Sequence, residues 1–178
     1  MSGTQPSALI IMGVAGSGKT TTAALLGERL GWPYRDADSF HPPANIEKMS
    51  RGEALTDEDR WPWLAAIGAW IDDHLARGES TVVTCSALKR SYRDALVRNR
   101  PRAHLVHLVG EKSLIAGRMG ARRDHFMPLG LLDSQFATLE PPEVDEDAVQ
   151  VDITQSVDSM VAAVLKAMPH LKSFKRWQ

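Results

Sequence analysis

The feature that most restricts this chain is an apolar run that ends abruptly in glycines near its start. Ala8-Leu-Ile-Ile-Met12 leads straight into Gly13-Val-Ala-Gly-Ser-Gly-Lys-Thr20. Apolar residues bounded by glycine read as a buried parallel strand, the glycine-rich turn cannot extend it, and Thr20 to Leu30 has helical character. Gly13, Gly18, Lys19 and Thr20 satisfy G-x-x-x-x-G-K-[ST], the phosphate-binding loop. Its glycines let successive backbone N–H groups turn inward as a concave nest at a helix N-terminus, which suits phosphate oxygens. Lys19 adds a point charge for the β- and γ-phosphates, and the Thr20 hydroxyl is a ligand type for Mg²⁺. The pattern implies a bound nucleoside triphosphate with Mg²⁺, held by Gly13, Ala15, Gly16, Ser17, Gly18, Lys19, Thr20 and Thr21.

Length and charge narrow the rest. With 178 residues the chain can bury one substantial core, so residues 1–178 are expected to form a single domain. A formal charge of -1 lacks the basic excess that sequence-independent nucleic-acid binding uses, so no nucleic-acid partner is expected. Cys85 is the only cysteine, which excludes an internal disulfide and a cysteine zinc site and suits a reducing cytoplasm. The opening Met-Ser-Gly-Thr-Gln-Pro has neither a basic n-region nor an h-region, and no apolar run reaches the ~20 residues that span a bilayer. A cytoplasmic protein with no membrane partner is the expectation.

Beyond the first helix, strand-like and helix-like stretches alternate. Trp32 to Arg35 reads as extended, Ala44 to Arg51 as a short helix, and Thr56 as the start of a longer one carrying an apolar stripe from Trp63 to Leu75. Thr81 to Thr84, His104 to Val109 and Ala148 to Ile153 read as further strands. Helices are expected from Leu88 to Arg98, Glu111 to Arg123, Leu129 to Leu139 and Val157 to Met168. Such alternation predicts a parallel sheet with helices on both faces, whose ligands sit beyond the carboxyl ends of the strands.

Several residues fall on that edge. Asp36 and Asp38 follow the second strand, and their i, i+2 spacing in an extended segment points both carboxylates one way. One can support Mg²⁺ while the other accepts a hydroxyl proton during phosphoryl transfer. Ser86, Lys89 and Arg93 follow the third strand, where cations can hold an anionic substrate. No aspartate ends that strand, which adds weight to Asp36 and Asp38. Arg118 and Arg122 share a helical face, with Gly117 and Gly120 nearby, and can bring positive charge over a triphosphate. His104 and His107, an odd number apart in a strand, point to opposite faces and make no paired metal site. The tryptophans from 63 to 70 read as core, and Cys85 as an inert small hydrophobe.

Read together, these strings resemble the gluconokinases. The resemblance runs from Leu9 to about Val164 and rests on the phosphate-binding loop and on Asp-Ala-Asp-Ser-Phe-His-Pro (36–42), Asn-Ile-Glu-Lys-Met (45–49) and Leu-Thr-Asp-Glu-Asp-Arg-Trp-Pro-Trp-Leu (55–64). Cys-Ser-Ala-Leu-Lys (85–89), Tyr-Arg-Asp (92–94), His-Phe (125–126) and Gln-Phe-Ala-Thr-Leu-Glu (135–140) extend it. The resemblance implies the α/β three-layer sandwich of P-loop kinases, with five parallel strands and a mobile lid at about 118–130. It implies ATP as phosphoryl donor, D-gluconate as acceptor at its terminal hydroxyl, and an association into dimers in some members. By position it also implies Gln155 beside the adenine, and His41, Arg60, Lys89, Arg93, His125 and Gln135 around the sugar acid. The string Arg-Arg-Asp-His (122–125) departs from the Lys-Gly-His-Phe of some members. Another small-molecule kinase, such as shikimate kinase, and a non-catalytic nucleotide switch remain alternatives. The switch lacks its D-x-x-G and N-K-x-D strings here.

Overall fold

A computed structural model describes residues 5–121 and 129–171. Strand β1 (Ala8–Met12) is apolar throughout and buried throughout, because it is covered on both faces and paired on both edges. The other strands are β2 (Tyr34–Arg35), β3 (Thr81–Thr84), β4 (Ala103–Val109) and β5 (Val149–Asp152). They form one parallel sheet in the order β2-β3-β1-β4-β5. In register, Ile11 lies beside Thr84 of β3 and Met12 beside His107 of β4. The ends of β1, β3 and β4 therefore open onto one edge, as the alternating pattern predicts.

Residue parity divides the core. Leu9, Ile11, Val82, Val106 and Leu108 face one layer, where α1 (Lys19–Leu30), α5 (Lys112–Ala121), α6 (Leu129–Thr138) and α7 (Val157–Ala167) supply Leu26, Ile115, Leu132 and Val161. Ala8, Ile10, Met12, Val83, Cys85 and Leu105 face the other layer, against α3 (Asp57–Ala76) and α4 (Arg90–Val97). There Leu64, Ile67, Ile71 and Leu96 close the core. Helix α2 (Pro43–Ser50) is tied to the start of α3 by Lys48, which pairs with Asp59 at 2.6 Å. Asp59 also completes a capping box with Thr56, so the threonine that the sequence marks as a helix start is the cap itself. Among the described residues no helix is long and apolar enough to cross a membrane.

The segment holding the two aspartates is not extended: β2 stops at Arg35, and Asp36 caps a short 3₁₀ turn over Ala37–Phe40. Buried Ala37 fixes the turn, donating its N–H to Thr84 Oγ1 at 3.2 Å and accepting Trp63 Nε1 at 2.8 Å. These tertiary bonds outweigh the period-two reading.

His107 lies on the inward face of β4 and is buried, with no partner for Nδ1. Burial, reinforced by the positive charge of Arg93, pushes its imidazole down to about 4 from 6.5. Between these values the unfolded chain takes up a proton that the folded chain refuses, so stability falls as pH drops from about 6.5 to about 4. Urea unfolding across that range should show a loss that is smaller in His107→Leu by up to about 3 kcal/mol. His41 and His104, also lowered by burial, keep part of the slope.

Candidate functional site

The phosphate-binding loop leaves β1 with a backbone that side chains resist. Gly16 and Gly18 have φ of +77° and +95°, and a Cβ on Gly16 would lie 2.7 Å from Met119 of α5. At Gly13, with φ of +151°, a Cβ would stand 2.8 Å from Ser17 Oγ and 3.1 Å from the Leu108 carbonyl, so a side chain would be strained where the loop passes the end of β4. The loop wraps into the N-terminus of α1, whose first residues are Lys19 and Thr20. Lys19 Nζ donates to the carbonyls of Gly13 and Val14 at 3.1 and 3.0 Å. Burial lowers its ammonium from the usual lysine range, against the pull of Asp38 and Asp36.

A cavity of about 320 Å³ opens at the loop, walled by Ala15, Gly16, Lys19 and Thr20 on one side and by Asp36, Asp38, Thr84 and Ser86 on the other. Trp63, Met119 and Gln135 complete its rim. Both aspartates thus reach one cavity, through the 3₁₀ turn rather than strand alternation. Asp36 is gripped by hydroxyls: Thr84 Oγ1 donates to it at 2.8 Å, Thr20 Oγ1 at 2.9 Å and Tyr34 Oη at 3.0 Å. Burial pushes its carboxyl up, but these donors outweigh it and hold the pKa below the usual value. An ionised carboxylate touching the Thr20 hydroxyl is a hard-oxygen pair of the kind Mg²⁺ takes alongside phosphate oxygens and water. The residues present fit that ion.

Beside the cavity lies a polar cluster. Lys89 Nζ sits 3.3 Å from Asp57, Arg60 Nη1 donates to Tyr92 Oη at 3.3 Å, and Tyr92 Oη in turn donates to Asp57. His41 stacks on Trp63 with ring centroids 4.4 Å apart, and burial lowers its imidazole against the pull of Asp38. Ser86 on the loop after β3 and Trp63 on α3 line the cavity on the side of this cluster. Two cations, a phenol and an imidazole offer donors that match a carboxylate and several hydroxyls.

Other expected residues lie elsewhere. Arg93, expected to meet an anionic acceptor, is fully buried and turned inward onto Glu146 and two backbone carbonyls, so it offers the cavity nothing. Gln135 does reach the rim, but there its Oε1 accepts the Ala15 N–H at 2.6 Å. Arg118 donates to the Ile153 carbonyl at 2.7 Å, at the turn after β5 that also carries Gln155, and does not line the cavity. The Gln155 side chain folds back on Asp152 O, and Thr21 is exposed and does not line the cavity. Arg122 and His125 lie outside the described residues. The sequence reading gave no role to Tyr34, Asp57, Thr84 or Tyr92. Tyr34 and Thr84 were accessible to it: one precedes Asp36 by two residues and the other ends a strand at the ligand edge. Trp63, expected as core, is buried and also walls the cavity.

No protein-family model matches the chain. It is 44% identical over 164 residues to the gluconokinase of Gluconobacter oxydans (strain 621H), covering 92% of each. The crystal structure of a gluconokinase from Sinorhizobium meliloti 1021 aligns with a TM-score of 0.82 at 45% identity, covering 94% of both chains. Shikimate kinase from Aquifex aeolicus vf5 aligns at a TM-score of 0.60 over 91% of this chain and 96% of its own, but at 16% identity it shares the fold alone. Sequence identity of the higher order along nearly the whole length, around a cavity built on the phosphate-binding loop, decides between these kinds of kinase: the chain belongs to the gluconokinase family.

Proposed function

We propose that this protein transfers the γ-phosphoryl group of ATP to the terminal hydroxyl of D-gluconate, yielding 6-phospho-D-gluconate and ADP, in gluconate catabolism. The observation that carries the reading is the convergence, at one cavity, of the phosphate-binding loop with Asp36 and Asp38, next to the Arg60, Lys89 and Tyr92 cluster. The loop N–H groups and Lys19 hold the β- and γ-phosphates, and Thr20 with Asp36 holds Mg²⁺, which when bound neutralises phosphate charge. Asp38 orients the acceptor hydroxyl and takes its proton. The hydroxyl oxygen bonds to the γ-phosphorus as the bond to the bridging oxygen breaks, and ADP leaves with that electron pair. Lys89 and Arg60 receive the gluconate carboxylate, while His41, Ser86 and Gln135 meet its hydroxyls. Arg118 and Gln155 frame the base side of the nucleotide. Arg122 and His125 close over the phosphates and acceptor. The same proposal includes a cytoplasmic enzyme, a single domain, a homodimer and no nucleic-acid partner.

The reading is tested with a coupled assay for ADP release across gluconate, shikimate and nucleoside monophosphates. Turnover with gluconate alone is the expected outcome, and activity confined to another acceptor would overturn it. Lys19→Ala should lower kcat by on the order of 10²-fold or more, the scale of losing one electrostatic donor. Thr84→Val removes a donor that favours the Asp36 carboxylate, so its pKa should rise. The acid limb of kcat/KM should then move to higher pH, measured from about pH 3 to 8.

A further inference from the structure

The loop between β3 and α4 carries Ser86 and Lys89 to the site, and it contains a residue in an unfavourable conformation. Ala87 has φ of +45°, the left-handed region that a Cβ disfavours. Something outside the loop must hold it there, and the interior shows what does. Arg93 Nη1 donates to the Ala87 and Leu88 carbonyls at 3.0 and 3.2 Å. Its remaining edge forms a two-point pair with Glu146, Nε at 2.6 Å and Nη2 at 3.1 Å, with both side chains almost wholly buried. Glu146 is itself fixed, since its Oε2 accepts the Glu143 N–H at 2.8 Å. An outer layer repeats the connection: Arg90 pairs with Glu143 at 3.2 Å and with Asp145, and Glu140 N–H donates to Leu88 O at 2.8 Å. On its far side the loop touches the phosphate-binding loop, where Gly13 N–H donates to Ser86 O at 3.4 Å.

We infer that the Arg93–Glu146 pair is a positioning device that sets the Ser86–Lys89 loop against the phosphate-binding loop, and so fixes the acceptor half of the site. Arg93 is fully buried and does not line the cavity. Its planar fork grips a carboxylate and two carbonyls at once, which a lysine cannot do. The phosphate-binding loop has its own frame in β1 and α1, so the device governs acceptor affinity and leaves nucleotide affinity alone. The inference rests on the gluconokinase reading for the identity of the acceptor.

The test compares wild type with Glu146→Gln and with Arg90→Ala, an outer substitution that leaves the core filled. KM for gluconate and KM for ATP are measured separately, with circular dichroism and thermal melting to identify folded protein. The expected result is a rise in gluconate KM of at least fivefold in Glu146→Gln and about twofold in Arg90→Ala, with ATP KM within 1.5-fold of wild type. Unchanged gluconate KM in either folded variant overturns the inference, as does an equal rise in both constants, which a merely structural role would give. If Glu146→Gln does not fold, Arg90→Ala decides alone. Should wild type use another acceptor, the gluconate reading fails by itself, and the same split is read with that acceptor.

Discussion

One carboxylate joins the elements on which this site depends. Asp36 accepts hydroxyls from α1, β2 and β3 through Thr20, Tyr34 and Thr84, three donors from three parts of the chain. An ionised acceptor that is partly removed from water needs such donors, and each donor is in turn fixed by the acceptor. The arrangement sets the phosphate-binding helix at a defined distance from the sheet edge. It also keeps the acid charged, because the stabilisation by hydroxyls exceeds the penalty of burial. A charged acid at the cavity wall and the location of the first helix are thus one interaction.

The sheet supplies the rest of the geometry. Placing β1 between β3 and β4 brings the phosphate-binding loop, the Ser86–Lys89 loop and the end of β4 together, as expected at a strand-order switch in an open α/β sheet. The close passage of Gly13 by the Leu108 carbonyl shows how tightly these ends meet. The polar cluster beside the cavity draws its side chains instead from α3, α4, the loop before α4 and the turn before α2. The phosphate-binding loop and the polar cluster are therefore supplied by different elements that meet at the edge of β1.

Much of this was readable from the residues. The phosphate-binding loop, the parallel sheet with helices on both faces and the cap at Thr56 all depend on local chemistry and periodicity, which the sequence displays directly. Strand β1 was recognisable because a strand buried on both faces has no polar alternation to confuse it. What escaped the reading depended on partners distant in the chain. The 3₁₀ turn at Ala37 is held by Thr84 and Trp63, so the i, i+2 argument reached the right cavity by the wrong conformation. Arg93 lies one helical turn after Lys89 and looks like its companion, yet Glu146, fifty-three positions later, draws it inward. Tyr92 and Asp57 meet only because α4 packs on α3. Local spacing carries no information about such pairings.

The lone thiol has a consequence of its own. Cys85 lies at the end of β3, wholly buried, and burial pushes its pKa to about 12. Peroxide and alkylating reagents attack the thiolate, a form this side chain scarcely populates near neutrality. A sulfur atom thus stands at the cavity wall as a protonated thiol, not as a nucleophile.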